Sequence, residues 1–424
     1  MKGLATRYAP SFALVRAHLG FGIVGSVLFA AALGGAAWNL EGHYFQGKIL
    51  GLVHLCALGW ILPIAFGAML QLVPVLFEVP LRSERTAWAA LGLYAIGGIG
   101  FVGHIALLAT VASLPLSAFL LFLGVLLHAT HLALSALANP VRARSLTGLF
   151  VLSALAWLVF AASLGFMLAI HLWHPYLSVN HLMALRAHAH AAGLGFFGLL
   201  IMGVGFELLE MFLLSHGAPA WPGWGALALV NVGLVALCWN FLAGPFPDLA
   251  LVGAAAIALG VVCFAIRVQM ILARRMRRHL DASAWLSSGS VLCLLGALVV
   301  AGTLSFAGLG DDMQNRLVLA YGLLALPGFM GTMVVGQLYK IVPFLIWLHR
   351  FSAYVGLKKV PTASELLDER SREIQAALMI GGLLLLLAGV LAGQSLLRLA
   401  GAATFFAAMV YSARNFLVVH GRRP

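Results

Sequence analysis

The chain predicts an all-α membrane protein that crosses the bilayer about twelve times, and three observations carry this. Of 424 residues, 62% are hydrophobic and only 9% are charged, with a mean hydropathy of +1.03. That composition excludes a soluble globular domain as the bulk of the chain. The apolar residues come in runs of about 20 or more, the length a helix needs to cross the hydrocarbon core. Lys and Arg gather mostly in the short connections between runs, so the formal charge of +12 is a topology signal and not a nucleic-acid footprint.

In chain order the predicted spans are 13–37, 47–77, 86–112, 115–137, 147–171, 180–213, 222–243, 248–272, 284–308, 317–348, 374–393 and 395–417. The first run, "FALVRAHLGFGIVGSVLFAAALGGAAW", is too long for a signal-peptide core and no cleavage site follows it, so it is expected to remain as a spanning helix. Lys2, Arg7 and Arg16 lie before or at its start, and Arg82 and Arg85 follow the second span. Arg142 and Arg144 follow the fourth, "RVQMILARRMRRHL" the eighth, Arg350 with Lys358 and Lys359 the tenth, and Arg422 and Arg423 close the chain. Only Lys48, Arg186, Arg316 and Arg398 lie towards the other side. The positive-inside rule therefore predicts both termini in the cytoplasm, for a multi-pass protein of a bacterial-type inner (plasma) membrane. The longest polar insert, "RFSAYVGLKKVPTASELLDERSREI", mixes both signs and is expected to be a solvated loop with a short amphipathic helix. Cys56, Cys238, Cys263 and Cys293 form no CxxC or CxxCH motif, so neither a disulfide framework nor covalent haem attachment is indicated. No phosphate-cradling glycine loop, Ser/His/Asp arrangement or soluble catalytic domain is present. Residues 1–424 are expected to form a single membrane domain.

Self-comparison at long period adds an internal order. Counting from His54, Gly59 falls at +5, Gly67 at +13, Gln71 at +17 and Pro74 at +20. From His190 the same offsets hold Gly195, Gly203, Glu207 and Glu210. In the tenth span Leu323 takes the histidine position, followed by Gly328, Gly336, Lys340 and Pro343. The starts are about 133 to 136 residues apart, near a third of the chain. Three pseudo-repeated four-helix units are predicted, 1–140, 141–280 and 281–424, each with its second helix the long one. The glycines have a packing explanation, since small residues let helix backbones approach.

Twelve helices in three arcs, with the motifs "HLCALGW" in helix two, "HAHAAGLGFFG" in helix six and "GQLYKIVPFLIWLHR" in helix ten, resemble subunit I of the haem-copper oxidase and nitric oxide reductase superfamily. The phrases look like those of its small, divergent relatives. A fainter similarity, through His-Ala-His, is to the haem- and copper-containing membrane proteins of the nitric oxide response. The resemblance implies that His54 matches the helix-two ligand of a low-spin haem. It implies that His190 or His188 matches a helix-six ligand of copper or non-haem iron. The adjacent histidine pair expected in helix seven is absent from "WGALALVNVGLVALCWNFL", and the helix-ten ligands are absent from "LVLAYGLLALPGFMGTMVVGQLYKIVPFL"; His349 lies only at that helix's end. A complete oxygen-reducing centre, and with it a terminal oxidase, is therefore not implied, and the resemblance leaves open any other oxidoreductase-related activity.

Two neutral imidazoles at equal depth in a bundle can supply both axial positions of a haem b, or two ligands of a copper ion; otherwise they are core histidines bonded to neighbouring carbonyls. His188 and His190 diverge by about 200 degrees around a helix, so they cannot share one face. Arg186, Lys48, Arg316 and Arg398 sit where haem propionates would need cations, or else snorkel to the interface. His128 and His131, three apart on one helix face, could ligate a metal or form a hydrogen-bonded core pair. His104 reads as structural, and His171, His174 and His181 form an extracytoplasmic cluster that could exchange a metal. Glu207 and Glu210 lie about five turns below His190, with Glu207 in register with Gln71 and Lys340. A proton path or a polar clamp, the latter through a Glu207–Lys340 pair, would account for them.

Three functions are compatible with these residues. The first is a haem-binding relative of oxidase subunit I for electron transfer, or for a response to nitric oxide or oxygen, taking electrons from a partner cytochrome or from quinol. The second is copper transport or handling. The third is an assembly partner without cofactor.

Overall fold

Helix starts are set by side chains that stand in for missing backbone acceptors. Ser83 accepts from the Thr86 N–H, Ser145 from Gly148, Asn180 from Leu182 and Met183, Asp281 from Ala284 and Asp368 from Ser371. Two further helices open with Pro222 or Pro247 in the first turn, where a missing N–H breaks no bond. In the computed structural model, which describes residues 8–276 and 280–423, these starts head helices of a twelve-span chain. The spans are α1 Phe12–Asn39, α2 Gly47–Phe77, α3 Glu84–Leu107, α4 Ser113–Ala136, α5 Leu146–Trp173 and α6 His181–Leu213, then α7 Trp221–Ala243, α8 Pro247–Ala273, α9 Ala282–Phe306, α10 Asp311–Arg350, α11 Glu369–Leu391 and α12 Ser395–Gly421. Each is long and apolar enough to cross a membrane. The fold is all-α, 84% helical, with no strand among the described residues.

Where the ends differ from the sequence expectation, the cause is local. α3 stops at Leu107 and not at 112 because Leu108 turns left-handed, with φ of 47°, and its N–H returns to His104 and Ile105. Glycine usually marks that reversal and none is there. α10 and α11 begin five or six residues earlier than expected because a polar turn precedes each apolar run, and its acids, Asp311 with Asp312 and Glu369, suit a helix N-terminus. The long insert is largely exposed, as expected, with 353–359 exposed throughout, but it is pinned at a few points and forms no amphipathic helix of its own. Phe351, Leu366 and Leu367 are buried, Trp347 donates to the Pro361 carbonyl at 2.7 Å, and single 3₁₀ turns form at Ser352–Tyr354 and Ala363–Leu366. Of the basic connections, Lys2, Arg7, Arg277 and Arg278 lie outside the described residues.

The chain divides into two compact units, Met1–Val15 with Phe66–Arg278, and Arg16–Ala65 with His279–Pro424. The first holds α3 to α8 and the end of α2; the second holds α9 to α12, most of α1 and the start of α2. Within the first unit α3 crosses α4 with Gly97 against the Leu121 backbone and Gly124 against that of Tyr94. There too α7 crosses α8, with Gly233 against Ile257 and Gly260 against Val230. Within the second, α11 crosses α12 with Gly382 against Phe405 and Gly401 against Leu386. Close contact of this kind substitutes for the hydrophobic effect, which lipid does not provide between helices.

In three helices the backbone ladder widens from N–H(i)→O(i−4) bonds to i−5 bonds, the π-helical pattern. The widened segments are Leu55–Ile61 in α2, Ala191–Gly198 in α6 and Leu324–Gly331 in α10. Each begins one residue after 54, 190 or 323, the positions that the sequence register equates. Such segments are rare in helices and concentrate at functional sites. Proline accompanies two of them, Pro63 just after the first and Pro327 inside the third, whereas α6 has glycines instead. In the second unit the widened parts of α2 and α10 meet, with the Trp60 indole on Gly331. Trp60 is buried, stacked on Phe29 at 5.8 Å and edge-on to Phe405 at 6.3 Å.

Candidate cofactor site

His54 and His190 take the same local geometry. The Nδ1 of each lies 2.8 Å from the carbonyl one turn back, Leu50 for His54 and Arg186 for His190. A carbonyl only accepts, so Nδ1 carries the proton and Nε2 carries the lone pair. This is the tautomer of an imidazole that ligates through Nε2, with the second nitrogen fixing ring orientation. Each ring stands at the last residue before its helix widens.

His188 faces another way. Its Nδ1 reaches the Ala161 carbonyl of α5 at 2.9 Å, and its ring lies on Gly165, where a Cβ would fall 2.7 Å from the ring carbon. His190 instead lies 5.6 Å, ring to ring, from Phe241 of α7. Between them Ala184, Ala187 and Ala191 form a small-residue face packed into the buried cluster with Leu164, Leu168 and Cys238. Thus His188 is a helix clamp, and of the two it is His190 that keeps a ligand-type geometry.

The cations expected near propionates are mostly committed elsewhere. Arg398 is buried and donates through Nε to the Ala37 carbonyl at 3.0 Å, and through Nη2 to Trp38 O at 2.8 Å and Ser395 Oγ at 2.9 Å. Lys48 donates to Asn39 O, and Arg316 pairs with Asp312 at 2.8 Å and donates to Leu391 O at 3.2 Å. All three cap the C-terminal ends of helices, where carbonyls lack donors and the dipole favours cations. Arg398 is therefore corrected from a cofactor cation to a clamp on the end of α1. Arg186 is exposed and its Nη1 lies 3.8 Å from the Met183 sulfur.

The His128 and His131 pair also divides. His128 donates to Gly124 O at 2.9 Å and its ring lies flat on Phe66, centroids 4.2 Å apart. His131 Nε2 accepts the Ser83 N–H at 3.0 Å, which caps the start of α3. With that lone pair in use, the two rings do not form a chelating pair. His131→Leu should lower stability by about 1–3 kcal/mol by stranding the Ser83 donor, read as a lower thermal midpoint. A loss of bound metal with no change in midpoint would contradict this role. His104 is likewise structural, bonded to Gly100 O at 2.7 Å and Ser113 Oγ at 2.7 Å. His171 stacks on His181 at 5.4 Å, but its Nδ1 accepts from the N–H groups of Tyr176 and Leu177, both at 3.0 Å. Among the described residues no group of three or more His, Cys, Asp or Glu side chains could hold a metal ion.

The polar groups deeper in the spans find partners within their own units. Glu210 pairs with Arg267 of α8 at 2.8 Å; Arg267 is buried, donates also to the Ala218 and Pro219 carbonyls and lies over the Phe206 ring. Glu207 is exposed and accepts from Thr147 Oγ1 at 2.8 Å, while Lys340 pairs with Asp281, the cap of α9. Gln71 is buried. The expected Glu207–Lys340 pairing thus gives way to two separate pairs. Arg267 and Asp281 were not singled out by sequence, the first because it was read with the basic run at the end of the eighth span although it lies within α8. The second carried a signal, an Asp three residues before an apolar helix's first turn closes.

No family model matches the chain, and no curated protein matches it.

Proposed function

We propose that the chain is a haem-binding integral membrane protein, with His54 and His190 each a haem ligand, acting in electron transfer or in a response to nitric oxide or oxygen. The observation that carries this reading is the shared geometry of the two rings. Both hold Nδ1–H on a carbonyl of their own helix, and both stand at the start of a widened turn. The donor chemistry fits a haem b, to which an imidazole would serve as ligand and which would supply one-electron chemistry. The carbonyls of Leu50 and Arg186 hold the rings in one tautomer, and the exposed Arg186 guanidinium can meet a propionate. Electrons would come from a partner cytochrome or from quinol. The basic connections further support a bacterial-type inner membrane with both termini in the cytoplasm. A C-terminal fluorescent protein that matures only in the cytoplasm should be bright, and an active alkaline phosphatase fused there would contradict this orientation.

The test is haem content, measured as the pyridine haemochrome of purified wild-type, His54→Ala and His190→Ala proteins. Wild type should carry haem b, and each variant should lose nearly all of it. Full retention in either variant would remove that histidine from the ligand set. Copper in place of haem would favour metal handling.

A further inference from the structure

Where α10 and α12 end, the second unit has a cavity of about 360 Å³ lined by Arg350, His420, Gly421 and Arg423. Among the described residues the lining holds two guanidinium groups and an imidazole but no carboxylate. Among the described residues no salt bridge engages Arg350 or Arg423. Arg16 lies near enough to His420 to add its charge. Two helix C-termini alone would repel an anion. Here Arg350 Nη1 donates to the carbonyls of His420 and Arg422, which satisfies the end of α12 and ties it to α10. The remaining donors of Arg350, with those of Arg423 and His420, suit the tetrahedral oxygens of a phosphate, which guanidinium groups bind bidentately.

A second observation indicates what carries the phosphate. Phe406, Val410 and Leu417 of α12 are 38%, 43% and 70% exposed. They precede Gly421 by 15, 11 and 4 residues, so helical phase sets them within about 60 degrees of its side of the helix. An apolar track, with the exposed Arg414 on the same face between Val410 and Leu417, therefore leads along the membrane span to a basic cavity at its end. We propose that this cavity binds the phosphate of an anionic phospholipid headgroup, with an acyl chain along the α12 track. Basic pockets between spanning helices recognise such headgroups; a free phosphate compound shares the chemistry but makes no use of the track.

The test titrates purified protein in neutral detergent with phosphatidylglycerol, with phosphatidylcholine and with inorganic phosphate at matched ionic strength, reading the thermal midpoint. Phosphatidylglycerol should give a saturable rise and phosphatidylcholine none. The double variant His420→Gln/Arg423→Gln keeps the carbonyl bonds of Arg350 and should weaken the apparent affinity about tenfold. Arg423→Gln alone, in an exposed residue past the last helical turn, should weaken it in the same direction should the double variant misfold. Arg85→Gln, an exposed cation of α3 in the first unit, should bind as wild type. Equal response to both lipids, undiminished affinity in Arg423→Gln, or an equal loss in Arg85→Gln would overturn the proposal. An equal saturable rise with inorganic phosphate alone would overturn the lipid assignment in favour of a soluble phosphate ligand.

Discussion

Gly25→Val should abolish the folded state, while Gly20→Val on the same helix should leave it intact. A Cβ at Gly25 would occupy the position of the Gly59 carbonyl in α2, backbone against backbone, whereas one at Gly20 meets nothing within 4 Å. Overpacking against side chains costs about 1–3 kcal/mol because they can move aside. Here neither partner can do so without separating α1 from α2 at the start of the second unit, where Trp60 and Phe29 also pack. The expected loss is above about 3 kcal/mol, against about 0.5 kcal/mol or less for Gly20. The monodisperse fraction after detergent extraction, with the thermal midpoint of what remains, reads the difference. Equal behaviour of the two variants would contradict the close α1–α2 crossing.

Arg267→Met should be the most damaging of the charge removals. The Arg267 side chain is only 8% exposed and that of Glu210 is 31% exposed. Removing one partner of a fully buried pair costs about 3–5 kcal/mol because the other charge is stranded. Solvent reaches Glu210, so the expected loss is smaller, about 2 kcal/mol. The carbonyls of Ala218 and Pro219 lose their donor in the same change. Adding Glu210→Gln should recover part of the loss, and the thermal midpoints of the four proteins form a double-mutant cycle. Additive losses would mean that the two residues do not act as a clamp.

These two sites mark what the sequence could and could not reveal. Twelve spans were legible because lipid demands long apolar runs, and α2 matched at both ends, Gly47 and Phe77. The widened turns begin one residue after His54, His190 and Leu323, positions that the sequence register aligns. The widening itself was hidden, since changing a hydrogen-bond offset from four to five alters no side-chain composition. Long-range partners were hidden for a different reason. Glu210 and Arg267 lie 57 residues apart, and a helix apolar on all sides carries no periodicity to say which face meets which neighbour. Lys48, Arg316 and Arg398 could be placed near helix ends from sequence. That they would bind carbonyls at those ends follows from the shortage of donors there, a backbone property that residue identity does not express.

The central claim, that the two ring geometries serve a haem, is met most directly by a reduced-minus-oxidised optical spectrum. It would be taken on the purified protein from cells supplied with haem, with metal analysis of the same sample. A haem b difference band with iron near one equivalent per haem is the predicted result. A colourless, correctly folded protein would contradict it and return His54 and His190 to the role of hydrogen-bonded core residues.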